Sequence, residues 1–233
     1  MGRPGKHRLS ESARMESITV ENYLKAIYQL SGTAESGGAA TSGLARCLNV
    51  TSGSVTLMLQ RLAELGLVDY EAYRGVRLTK KGERIALRIV RNHRLIELYL
   101  TNTLNLPWDE VHEEAENLEH SVSDRLVDRI DEYLGHPDRD PHGDPIPDAT
   151  GKFRTREGTP LVKCAPQSRF ILLRVPDRSA DFLRYLREGG LTVGATAMVL
   201  ENQPSAGVVT VEVGGRPVSL SREMAASVLV RPV

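Results

Sequence analysis

The chemistry of this sequence is concentrated in His93, Glu97, His112, Glu116, Glu119 and His120. At about 100° per residue, His112, Glu116, Glu119 and His120 share one stripe of a helix expected over Pro107–Val122. Pro107 would stand in its first turn, where a missing N–H costs least. Trp108, Val111, Ala115, Leu118 and Val122 form the adjoining apolar stripe, so the imidazoles and carboxylates lie at the edge of a buried face. Glu110, Glu113, Glu114 and Asn117 point to water. On the preceding helix His93 lies among Ala86, Ile89, Val90, Ile96, Leu100 and Leu104, with Glu97 one turn on and inside the same stripe. A histidine on such a face is most often a hydrogen-bonded core residue, and Glu97 alone would be satisfied by an arginine. The whole set on two consecutive helices points instead to a divalent cation, because a lone buried charge is very costly. Imidazole and carboxylate ligands without thiolate suit Mn, Fe(II), Co or Zn.

These helices have to be positioned by the rest of the chain, whose charge is unevenly spread. Basic and acidic residues number 15 against 9 over residues 1–106, 3 against 14 over 107–150 and 12 against 7 over 151–233, cancelling to net zero. A basic front suits a polyanion and an acidic middle suits cations. Residues 1–15 read as a disordered basic arm. Val20, Tyr23, Leu24, Ile27 and Tyr28 mark a helix over Thr19–Leu30. Thr41 caps a short helix through Leu48, and Thr51 or Ser52 caps a second one ending at Gly66. Val55, Met58, Leu59, Leu62 and Leu65 face inward on that second helix. Thr51, Ser52, Ser54, Thr56, Leu57, Gln60 and Arg61 are placed to meet DNA. A hairpin follows, with Arg74 at its tip, and completes a winged helix. The basic residues at the start of the next long helix, Lys80 to Leu104, read mostly as a solvated face. Ser123–Leu134 is a further helix, whose seam of Leu126, Val127, Ile130 and Leu134 suits pairing between two copies.

His136–Thr159, dense in Pro, Gly and Asp, reads as a linker. Beyond it, strands over Phe170–Val175, Ala195–Leu200, Val208–Val213 and Pro217–Leu220, with a short helix Ala180–Glu188, predict a small barrel. The fold class is therefore mainly α with a small β part. The domains are expected at 16–79 (winged helix), 80–148 (helical, metal-binding and dimerising), 149–160 (linker) and 161–233 (the small barrel). Cys47 and Cys164 match no zinc or redox spacing and read as unpaired core thiols of a cytoplasmic protein. No apolar run reaches the ~18 residues of a membrane span. A metallohydrolase is disfavoured, since neither HExxH nor a glycine-rich phosphate loop occurs. A metal-independent winged-helix regulator would keep its DNA binding in chelator.

VENYLKAIYQL, YEAYRGVRLTKKG, RNHRLIELYL, VHEEAENLEHSVSDRL and DPHGDPIP resemble the diphtheria-toxin-repressor (DtxR/MntR) family of metal-dependent transcriptional regulators. The closer match is the three-domain form with an SH3-like (FeoA-like) C-terminal barrel. The resemblance implies a cytoplasmic homodimer, not an enzyme, that binds a palindromic double-stranded DNA operator when metal is bound. It implies a regulatory site of Asn22, Glu116, Glu119 and His120, with Glu21 as an alternative first-helix ligand. It also implies an ancillary site of His93, Glu97 and His112, to which only Asp181 offers a C-terminal donor. Iron-responsive members carry Cys where this chain has Glu116 and manganese-responsive members carry Glu, so Mn(II) is expected, with Fe(II) the alternative.

Overall fold

The computed structural model describes residues 11–32, 38–71, 74–154, 158–176 and 179–233. Residues 1–10 of the expected arm lie outside them, whereas residues 11–15 already belong to the first helix. Contacts divide the chain into two units, one ending at Val90 and the other beginning at Arg91.

The first unit is the expected winged helix. Helix α1 spans Glu11–Ser31, α2 Thr41–Cys47 and α3 Ser52–Glu64. Strands β1 (Val68–Glu71) and β2 (Gly75–Leu78) pair antiparallel, Val68 opposite Leu78 and Glu71 opposite Gly75. Leu24, Ile27, Leu44, Val55, Leu59, Leu62 and Val76 fill its core, with Ala86 from the start of α4 (Lys80–Leu104). Asn49, in the left-handed region at φ 52, turns the chain between α2 and α3. Thr51 then caps α3, its hydroxyl accepting from the Ser54 N–H at 3.2 Å. Thr41 is the first helical residue of α2 rather than its cap, which is Ala40. Leu65 is 47% exposed, not inward, because it follows the last turn of α3.

The second unit holds the rest of α4, then α5 (Val111–Leu118) and α6 (Asp124–Tyr133). The helix expected over Pro107–Val122 is thus shorter at both ends. Residues 108–110 and 119–121 are turns, and Asn105 at φ 56 breaks the chain before Pro107. Leu95, Val127, Ile130 and Ile146 form one helical cluster; Ile96, Leu100, Val111 and Ala115 form another. Leu104 and Leu118, expected inward, are 55% and 39% exposed, each being the last residue of its helix.

The C-terminal part is one antiparallel sheet in the order β3-β8-β4-β5-β6-β7, around helix α7 (Ala180–Glu188). Its strands are β3 (Thr159–Pro160), β4 (Arg169–Arg174), β5 (Thr196–Gln203), β6 (Val208–Val213), β7 (Arg216–Ser221) and β8 (Leu229–Pro232). Strands β3 and β8 and the short helix α8 (Arg222–Ser227) were not expected from sequence. Irregularities at Leu172/Arg174 and Val199/Glu201 add twist to the sheet. Cys164 is buried as expected, but Cys47 is exposed.

Part of the stretch expected as a linker is packed: His142, Gly143, Asp144, Pro145, Ile146 and Pro147 are buried. Residues 155–157 of the expected linker lie outside the described residues.

Candidate metal centre

Helix α4 turns His93 and Glu97 inward, and both are buried, Glu97 completely. Two carboxylates flank the His93 ring. Nδ1 lies 2.7 Å from Glu119 Oε2, and Nε2 lies 2.9 Å from Glu97 Oε1. Helix α5 brings His112 against the same oxygen, with Nδ1 3.0 Å from Glu97 Oε1 and 3.0 Å from His93 Nε2. Glu116 Oε1 stands 3.9 Å from His93 Nδ1 and 3.7 Å from His112 Nε2. Glu119 and His120 follow the last turn of α5, and His120 Nε2 lies 3.1 Å from Glu119 Oε1. Glu97, His112, Glu116, Glu119 and His120 therefore form one continuous network, joined through His93. Among the described residues, His93, His112 and Glu116 form one grouping close enough to hold a cation.

Burial pushes the Glu97 carboxyl up. The neighbouring His93 charge and the side-chain hydrogen bonds to His112 and His93 outweigh it and hold Glu97 well below the usual carboxylate range. Glu97 is an anion surrounded by imidazoles, and a divalent cation competes for the same oxygens.

A second buried cluster escaped the sequence reading: Glu97, Asp140 and His142. His142 donates from Nε2 to the Trp108 carbonyl at 2.8 Å. A neutral ring then carries its lone pair on Nδ1. Among the described residues that atom has no hydrogen-bond partner, and neither has Glu97 Oε2, 3.7 Å away. Two buried acceptors facing one another without a donor fit a cation between them. Asp140 Oδ1 accepts from the N–H groups of His142 and Asp144 at 2.9 and 2.8 Å, which fixes the loop. The signal was legible as DPHGD, two carboxylates and an imidazole within residues 140–144. It lies in a stretch without period, which the sequence marks as a linker and as part of the family resemblance but not as a source of ligands. Among the described residues, Asp181 joins neither cluster. Its side chain is 93% exposed and pairs with Arg184 at 3.1 Å.

Asn22, half-buried, stands on α1 in the first unit. The alternative, Glu21, is engaged by Arg88 at 2.8 Å. The basic side of α4 is not all solvated. Arg91 is buried against Asp131 at 2.9 Å, and Arg94 Nε lies 3.7 Å from Asp140 Oδ2.

On α3 the residues expected to meet DNA are mostly at the surface. Thr51, Ser52, Ser54, Gln60 and Arg61 are exposed, and Leu57 is 70% exposed. Thr56 is half-buried and its hydroxyl donates to the Ser52 carbonyl at 3.0 Å. Arg61 pairs with Glu16 of α1, and Arg74, on the wing, pairs with Glu71 at 3.0 Å.

A winged helix in one unit and buried imidazole–carboxylate clusters in the other define a class, the metal-binding DNA-binding regulators. Comparison with known proteins is specific about which. Residues 15–76 match the family model "Iron dependent repressor, N-terminal DNA binding domain". Residues 79–148 match "Iron dependent repressor, metal binding and dimerisation domain", and 159–232 match the FeoA domain. The iron-dependent repressor IdeR of Mycobacterium tuberculosis is 31% identical over 231 residues, covering 92% of this chain and 97% of that protein. A solved structure described as a manganese-dependent transcriptional repressor in complex with manganese has TM-score 0.81 and 38% identity, covering 92% of this chain and all of that one. ScaR with bound Zn2+ has TM-score 0.75 and 33% identity, covering 92% and 99%. The chain belongs to the iron-dependent, or diphtheria-toxin-type, repressor family of metal-dependent transcriptional regulators.

Proposed function

We propose that this protein is a manganese-responsive repressor that binds a palindromic operator as a homodimer in the cytoplasm. The observation that carries the reading is the network of His93, Glu97, His112, Glu116 and Glu119, buried at His93, Glu97 and Glu119 and half-buried at His112 and Glu116, built from imidazole and carboxylate donors without a thiolate. Hard oxygen donors at Glu116 and Glu119 favour Mn(II) over softer competitors. Regulatory metal is held by Asn22, Glu116, Glu119 and His120; ancillary metal by His93, Glu97 and His112. Glu97, Asp140 and His142 supply a further buried donor set. Metal tighter on the DNA-competent arrangement shifts the population toward it. Leu126 and Tyr133 of α6, with Leu104 and Leu118 at the ends of α4 and α5, are exposed apolar residues suited to the pairing surface. The domains divide as 16–79, 80–148 and 161–233, with 149–160 between.

A second reading, Fe(II) as effector, is favoured by the near full-length similarity to IdeR, named an iron-dependent repressor. Anaerobic dialysis against buffered free Mn(II) and Fe(II) separates the two. Half-saturation at the lower free Mn(II) concentration, relative to what a cytoplasm holds, supports manganese; the reverse order supports iron.

The helix α3 assignment has its own test. Arg61→Ala weakens operator binding about tenfold at fixed salt, as expected for losing one good contact of ~1–3 kcal/mol. Unchanged affinity in a fluorescence anisotropy titration removes Arg61 from the interface.

A further inference from the structure

The Glu97–Asp140–His142 cluster is gripped by a residue that belongs to another core. Trp108 precedes α5, yet its ring is buried among Leu161, Phe170, Leu183 and Leu186 of the C-terminal β domain. Its indole N–H donates to the Leu183 carbonyl of α7 at 3.1 Å. Its own carbonyl accepts from His142 Nε2. Its ring stacks on the His142 ring, with centroids 5.7 Å apart and planes 13° from parallel. The next residue strengthens the hold. Asp109, with a fully buried side chain, lies 2.8 Å from Arg187 Nη1 and 3.6 Å from Arg184 Nε, both on α7. From the other side, the His142 carbonyl accepts from the Val175 N–H at 2.9 Å.

We propose that Trp108 is a positioning residue for the Glu97–Asp140–His142 cluster, and that metal occupancy there and docking of the C-terminal β domain control one another through it. This rests on the reading that the cluster holds a divalent cation. The carbonyl of Trp108 fixes the proton of His142 on Nε2 and leaves Nδ1 bare toward Glu97. An outer partner of this kind sets the tautomer and orientation of an imidazole ligand. Trp108 can hold that carbonyl in place only while its indole is seated on α7. When the β domain moves off α7, the indole loses its acceptor and its apolar surroundings, and His142 loses both its hydrogen-bond acceptor and its stacking partner. By linkage, an ion that binds the seated arrangement more tightly stabilises docking by the same factor. The β domain thereby becomes a metal-controlled element rather than a passive appendage.

Trp108 is the one tryptophan of the chain, so its fluorescence reports on this place alone. The test uses the full-length protein and Mn(II), with bound metal counted by equilibrium dialysis and indole emission read in parallel. Loss of one bound equivalent in His142→Leu assigns an ion to the cluster. If no equivalent is lost, the cluster holds no metal and the proposal falls with the reading beneath it. The proposal expects emission to be quenched as that equivalent binds. It expects Trp108→Phe, which keeps a stacked ring but loses the N–H, to weaken that equivalent about tenfold, within the range for outer partners of a ligand. Arg187→Met removes the ion pair to Asp109 while leaving Trp108 and His142 themselves unaltered, and the Arg187 side chain is partly exposed. It should raise the Mn(II) concentration for half-quenching severalfold, which covers a Trp108→Phe protein that fails to fold. A bound equivalent with silent emission, or wild-type Mn(II) affinity in Trp108→Phe and Arg187→Met, overturns the coupling and leaves the metal site standing.

Discussion

Alanine at Glu116 or His120 gives a folded protein whose operator affinity no longer responds to Mn(II). The Glu116 side chain is 41% exposed, so its truncation leaves the buried core untouched, and a change of this kind lies within about 0.5 kcal/mol in stability. His120 is more enclosed, at 7% side-chain exposure, and its loss costs ~1–2 kcal/mol, which leaves the fold intact. What both remove is the differential binding of the ion to the DNA-competent arrangement. Couplings of this kind are worth about 1–3 kcal/mol, or roughly 5–150-fold in affinity. Thermal melting checks the fold, and anisotropy with labelled operator in chelator and in Mn(II) checks the response. A Mn(II) response retained by both variants would refute the regulatory-site assignment.

Gly143→Ala destabilises the second unit by about 4 kcal/mol or more, among the largest effects expected of a single methyl group. Gly143 sits at φ +82, a region that costs a side-chain-bearing residue ~1–2 kcal/mol. A Cβ there would stand 1.9 Å from the Leu173 carbonyl oxygen and 2.8 Å from the Arg174 Cα. Both are backbone atoms of β4, so relief requires the loop and the sheet to separate. Flanking contacts oppose that separation: the His142 carbonyl bonds to Val175, and Asp144 pairs with Arg174. A fall in melting temperature of ~10 °C or more is expected at this size. An unchanged melting curve would mean that the loop does not pack on β4 in solution.

The helical period put Glu97 on the buried face of α4, where it is fully enclosed, and an unpaired carboxylate there demanded a partner. The same period over-extended α5, because it carries no information about where a helix frays. The apolar pattern from Trp108 to Val122 is continuous, but Trp108 leaves it to enter the β domain core, and the chain turns after Leu118. Asp140 and His142 went unread for the complementary reason. A buried irregular loop has no period, and its polar atoms are satisfied by tertiary contacts that local sequence does not announce. The wing and the strands of the β domain were legible from alternation and glycine turns. Strands β3 and β8, two and four residues long, are too short to carry that signal.

The most direct test of the central claim is operator affinity of the wild-type protein at fixed salt, in chelator, in Mn(II) and, anaerobically, in Fe(II). The account predicts negligible specific binding in chelator and tight binding once metal is supplied, with Mn(II) effective at the lower free concentration. Equal affinity in chelator and in metal would contradict it, reducing the buried clusters to structural features of a plain winged-helix regulator.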